Sequence, residues 1–82
     1  MVNGSDGLNV GAIRRRCRYT QAEFARLIGV RLVTVASWEQ GRRRPSRIAR
    51  RMLELLERHP EIAIRLEELA AAKTAALLSR YD

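Results

Sequence analysis

Gly29 interrupts a run that is helical in pattern on both sides, and it decides what residues 20–40 can become. Thr20 followed by Glu23 reads as a capping box: the hydroxyl accepts from an orphan backbone N–H, and the carboxylate accepts from the Thr20 N–H. Phe24, Leu27 and Ile28 then fall at helical spacing. The small Ala25 sits between them, where a larger side chain would hold off a neighbouring helix. Gly29 enters the left-handed conformation without steric cost and ends the helix. A second periodic run follows with Val35 and Trp38 on one face, while Val33, Ala36, Ser37 and Gln40 point the other way. The stretch predicts two short helices joined by a tight turn, with the second helix a candidate reader of DNA. The same pattern suits a helical hairpin in an ordinary bundle, and this stretch alone leaves both readings open.

Charge weighs on that choice through its distribution. Residues 14–51 hold twelve arginines against two glutamates, a net +10, whereas residues 52–82 hold four basic groups against six acidic ones, a net −2. A basic half that contains the two-helix stretch points to a polyanion, either nucleic acid or an anionic membrane surface. The membrane reading is the weaker, because no apolar run approaches the roughly eighteen residues a spanning helix needs and the N-terminus lacks a signal-peptide core. One cysteine forms no internal disulfide, so the cytoplasm is the expected compartment. Cys17 lies among arginines that would lower its pKa, but its helical spacing also suits a small packing residue.

The order Phe24, Ala25, Ile28, Gly29, Val35 and Trp38 resembles the lambda-repressor and Cro-like (XRE-class) helix-turn-helix family. The continuation Trp38-Glu39-Gln40-Gly41-Arg42-Arg43-Arg44-Pro45-Ser46 is similar to that of HigA-type antitoxins and small transcriptional regulators. The resemblance covers roughly residues 10–60. It implies an all-α, five-helix, lambda-repressor-like helix-turn-helix DNA-binding domain, acting as a homodimeric bacterial or phage regulator on double-stranded operator DNA, an inverted repeat. It also implies base contact by Leu32, Val33, Thr34 and Ser37, and a structural ion pair between Arg14 and Glu39 that fixes the angle between helices. An antitoxin with a toxin protein as partner and a stand-alone repressor share this pattern. Two departures stand out. Arg31 occupies the helix-cap position where the family usually has serine or threonine. It cannot cap, and it puts a cation at the positive end of a helix, a local cost that makes sense if it reaches a phosphate or a guanine. Leu32 and Val33 replace polar or basic side chains, so they can meet only thymine methyls or sugar. That leaves open a helix-turn-helix turned protein-binding module.

The flanking residues suit phosphate contact. Thr20 and Gln21 begin a helix, where backbone N–H groups and the glutamine amide can hold a phosphate. Arg42, Arg43 and Arg44 form a loop on the other side of the reading helix, placed for phosphate or minor groove.

Elsewhere, residues 1–8 are expected to be a flexible N-terminus and residues 9–60 the helix-turn-helix domain. Asn9 caps a first helix over about 10–17 with Val10, Ile13 and Cys17 inward. Helices over Gln21–Ile28 and about Leu32–Glu39 follow. Ser46 caps a fourth helix to about Arg58, with Ile48, Met52, Leu55 and Leu56 as its inward stripe. Arg47, Arg50 and Arg51 oppose the dipole at its start. His59-Pro60 stops it. Pro60 opens a fifth helix to about Ser79, with Ile62, Leu66, Leu69, Ala70, Lys73 and Leu77 on one side. Residues 61–82, alanine-rich at 70–76, are expected to pair with a second copy; folding back on the same domain is the alternative. No catalytic residue, cofactor or metal site is expected. There is no glycine-rich phosphate cradle or carboxylate pair in an apolar setting, and His59 and Cys17 are too few for zinc.

Overall fold

The structure, a computed structural model, describes residues 7–79, with side chains through residue 73. The described residues form five helices and no strand: α1 (Val10–Arg16), α2 (Gln21–Ile28), α3 (Leu32–Glu39), α4 (Arg47–Arg58) and α5 (Ile62–Ser79). The all-α, five-helix expectation holds.

Local chemistry sets the ends. Asn9 accepts from the Ala12 N–H, Thr20 and Glu23 make the reciprocal capping box, and Ser46 accepts from the Ala49 N–H. Arg31 makes no side-chain cap bond at the start of α3. Helices α1, α2 and α3 stop in the same manner. The N–H groups of Tyr19, Val30 and Arg42 reach back to the carbonyls of Arg14, Ala25 and Ser37, across a left-handed residue in each case. Gly29 and Gly41 serve in two of these turns; in the first it is Arg18, at φ 66°.

The core gathers one face of every helix. Phe24, Leu53, Leu56, Val10 and Val35 are fully buried, with Ile13, Ala25, Leu27, Trp38, Ala49 and Ala63 around them. Burying side chains of this size is worth about 1.5–3 kcal/mol each. Leu8, which the sequence assigns to the N-terminal arm, is also buried.

Helix α4 corrects its expected stripe. Its core side is Ala49, Leu53 and Leu56 with Met52 partly buried, while Ile48 is 83% and Leu55 42% exposed. The face is displaced by about one residue's rotation. Positions 48, 52, 55 and 49, 53, 56 carry the same helical spacing, and the side with the small Ala49 is the one turned inward.

Helix α5 begins two residues later than expected. Pro60 and Glu61 form a turn in which Ile62, Ala63 and Ile64 donate to the carbonyls of His59, Pro60 and Glu61. Ala63 is buried and Ile62, Leu66 and Ala70 are half-buried, whereas Leu69 is 55% exposed and Lys73 exposed. Through Ala70 this helix packs back on its own domain. The side chain of Leu77 lies outside the described residues.

Candidate nucleic-acid interface

The interface is built on a locked junction between α1, α2 and α3. The Arg14 guanidinium holds Glu39 through Nε at 2.6 Å and Nη2 at 3.2 Å, and its Nη1 donates to the Tyr19 carbonyl at 2.9 Å. The Gln21 amide donates to the same carboxylate at 3.1 Å. The Arg14 and Glu39 side chains are only 14% and 12% exposed. Burial would raise the Glu39 carboxyl, but the hydrogen bonds from Arg14 and Gln21 and the charges of Arg14 and Arg15 hold it below its ordinary range. Hydrogen bonding to Glu39 correspondingly raises Arg14. Gly11 makes the room: a Cβ there would stand 3.0 Å from the Arg15 guanidinium and 3.3 Å from the Glu39 carboxylate. Replacing such a pair by apolar groups is often neutral, so it is weak evidence for stability; what it does is join α3 to α1, and through Gln21 to α2.

The arginine run in α1 is therefore largely engaged. Arg14 is paired, the Arg15 guanidinium lies over Gly11, and Arg16 donates to the Glu57 carbonyl at 3.3 Å. Cys17 is a packing residue whose thiol burial pushes up, against the lowering charge of Arg16.

Once α3 is seated, Val35 and Trp38 are buried, Glu39 lies in the junction, and the first turn of the helix is the most exposed. Arg31 is exposed, Leu32 and Val33 are 48% and 50% exposed, and Thr34 and Ser37 are half-buried. Eight residues make this helix about 12 Å long. At its C-terminal end the Gln21–Glu39 bond draws in the start of α2, so Thr20, Gln21 and the exposed Arg42, Arg43 and Arg44 gather around that end. Arg42 and Arg43 donate their backbone N–H groups to the Ser37 carbonyl, which ties the arginine loop to the helix it follows. Arg31, Leu32, Val33 and Thr34 stand at the opposite end.

Two features lay beyond the sequence reading. Gln21, expected at a phosphate, spends an amide hydrogen on Glu39 and so joins the locked junction. Gln40, exposed one turn beyond Ser37 along the Val33 side of α3, carries the amide that reads adenine best, and the wheel that placed it outward was the available signal.

The arrangement sets cations and hydrogen-bond donors at the two ends of α3 and exposes the apolar Leu32 and Val33 in its first turn. Among the described residues no helix is long and apolar enough to cross a membrane. Residues 1–69 match a protein family described as the antitoxin component of bacterial toxin-antitoxin systems, MqsA. The chain is also similar to antitoxin HigA-2 of Vibrio cholerae serotype O1, 36% identical over 73 residues that cover 83% of this chain and 70% of the relative. No solved structure matches.

Proposed function

The chain belongs to this family of bacterial antitoxin components, and from that premise we propose that it is a DNA-binding antitoxin that represses its own operon. A homodimer sets two copies of α3 into successive major grooves of an inverted repeat, about 34 Å apart. Thr20, Arg42, Arg43 and Arg44 hold phosphates and set register. Leu32, Val33, Thr34 and Ser37 meet base edges, and Arg31 reaches a phosphate or guanine beside them. Its second partner is a toxin protein, and it works in the cytoplasm by binding and without catalysis.

The observation that carries this reading is the contrast within one junction. The polar groups behind α3 are hydrogen-bonded to one another, while Arg31, Arg42, Arg43 and Arg44 at its two ends are exposed. The exposed Leu32 and Val33 favour a second reading, in which the tip of α3 docks a protein.

Positioning and reading separate by mutation. Arg43→Ala should weaken binding to all duplexes alike and reduce the salt slope by about one phosphate contact. Ser37→Ala should shift preference among operator variants at an unchanged slope. An Arg43→Ala protein with altered sequence preference and an intact slope would remove the loop from its assigned role.

A further inference from the structure

Three helices end in the same kind of turn, and one of the three turns holds a charged side chain where glycine would fit best. After α2 and α3 the left-handed residue is Gly29 at φ 90° and Gly41 at φ 76°; after α1 it is Arg18 at φ 66°. An L-residue in this region brings its Cβ against the following carbonyl, a strain that glycine does not carry. Among the described residues Arg18 is the one non-glycine residue at positive φ. Strain of this kind persists where the surrounding structure imposes it, and it collects at binding and catalytic sites.

Nothing inside the fold uses the side chain held there. Arg14 is bound to Glu39, the Arg15 guanidinium lies over Gly11, and Arg16 donates to the Glu57 carbonyl. Arg18 is exposed, and its guanidinium makes no hydrogen bond or ion pair among the described residues. The turn is nevertheless tied to the reading helix. Arg14, which grips Glu39 at the last residue of α3, also donates from Nη1 to the carbonyl of Tyr19, the neighbour of Arg18. Thr20, the N-cap of α2, follows two residues after Arg18, within about 7 Å even for extended chain.

We propose that Arg18 is a phosphate clamp, its guanidinium gripping the DNA backbone beside the phosphate that Thr20 holds at the start of α2. The inference rests on the DNA reading above and adds a residue outside the set assigned there. A guanidinium presents a planar fork of donors that matches two phosphate oxygens. The left-handed backbone is then kept for binding at the expense of stability, so the two properties move in opposite directions when the side chain is removed.

The test titrates the full chain and its variants with a promoter duplex and a scrambled one over about 50–300 mM salt, and melts each protein alone. Arg18→Gly should melt slightly higher than the native chain. It should also bind both duplexes about threefold to tenfold more weakly near physiological salt, with the salt slope reduced by about one phosphate contact. Arg18→Lys keeps the charge and should keep the slope. Arg26→Ala removes the same charge from an exposed position that lines a groove toward α5 with Glu23 and Glu67, and it should leave the slope unchanged. An Arg18→Gly protein with native affinity and slope would overturn the proposal. So would an equal loss of slope in Arg26→Ala, which would assign the effect to net charge. An Arg18→Gly protein that melts lower and binds more weakly would overturn it too, because the side chain would then serve the fold. A native chain that binds neither duplex would remove the DNA reading itself, and this clamp with it.

Discussion

Glu39 shows how one side chain can order a site it does not belong to. It receives Arg14 and Gln21 from two other helices, and Gly11 on α1 leaves the space it fills. Removing its charge leaves the largely buried guanidinium without its counter-charge, so Glu39→Gln should cost about 2 kcal/mol in denaturant unfolding. Its pH dependence has a definite sign. The folded carboxyl is held below its ordinary value of 4.5, so the folded state binds that proton less readily than the unfolded chain. The stabilisation is complete above that ordinary value and is lost as pH falls through the folded one. Glu39→Gln should therefore flatten the acid side of the stability profile; an unchanged profile would mean that other carboxylates dominate it. Arg18 is the opposite case, a side chain whose backbone geometry suits glycine. At φ 66° an L-residue other than glycine carries about 1 kcal/mol of strain, so Arg18→Gly should raise the melting temperature slightly. A fall would show that the Arg18 side chain stabilises the fold.

At the scale of elements, what could be read from the sequence is what is decided locally. Helix caps, a glycine stop and a proline are settled within a few residues, and the starts of α1, α2 and α4 follow from Asn9, Thr20 and Ser46. The rotation of a helix is decided by its neighbours. Helix α4 offers two interleaved stripes, 48/52/55 and 49/53/56, and only the packed domain selects the second. Helix α5 shows the same limit, with Ala63 inward and Leu69 outward. In the candidate site, the exposed positions of α3 were legible from Val35 and Trp38 alone. The Arg14–Glu39 pair was implied by family resemblance, and the part Gln21 takes in it needed three dimensions. The apolar tip of α3 makes its own prediction. Thymine methyls are the apolar groups of the major groove, and burying one is worth about 0.8 kcal/mol. Replacing contacted thymines by deoxyuracil should weaken binding about threefold to fourfold per methyl, and Val33→Ala should remove most of that sensitivity. Equal affinities throughout would favour the protein-docking reading of Leu32 and Val33.

The whole molecule is a small domain that draws its core from all five helices. Its last helix contributes Ala63 to the centre and Leu66 to the edge, so removing residues 61–82 should lower the melting temperature sharply. A truncated chain with the stability of the full one would show that α1 to α4 suffice. The charge asymmetry works at this scale too. On the proposed reading, net +10 over residues 14–51 would attract any duplex, and the front of α3 would distinguish one sequence from another. The central claim is that this basic scaffold presents α3 as a reader of the protein's own operator. Its most direct test is an anisotropy titration of two duplexes at physiological salt, one from the promoter of its own operon and one of the same composition scrambled. The account predicts that the promoter duplex binds at least about a thousandfold more tightly. Equal affinity for the two would contradict it, because charge alone would then account for all the binding.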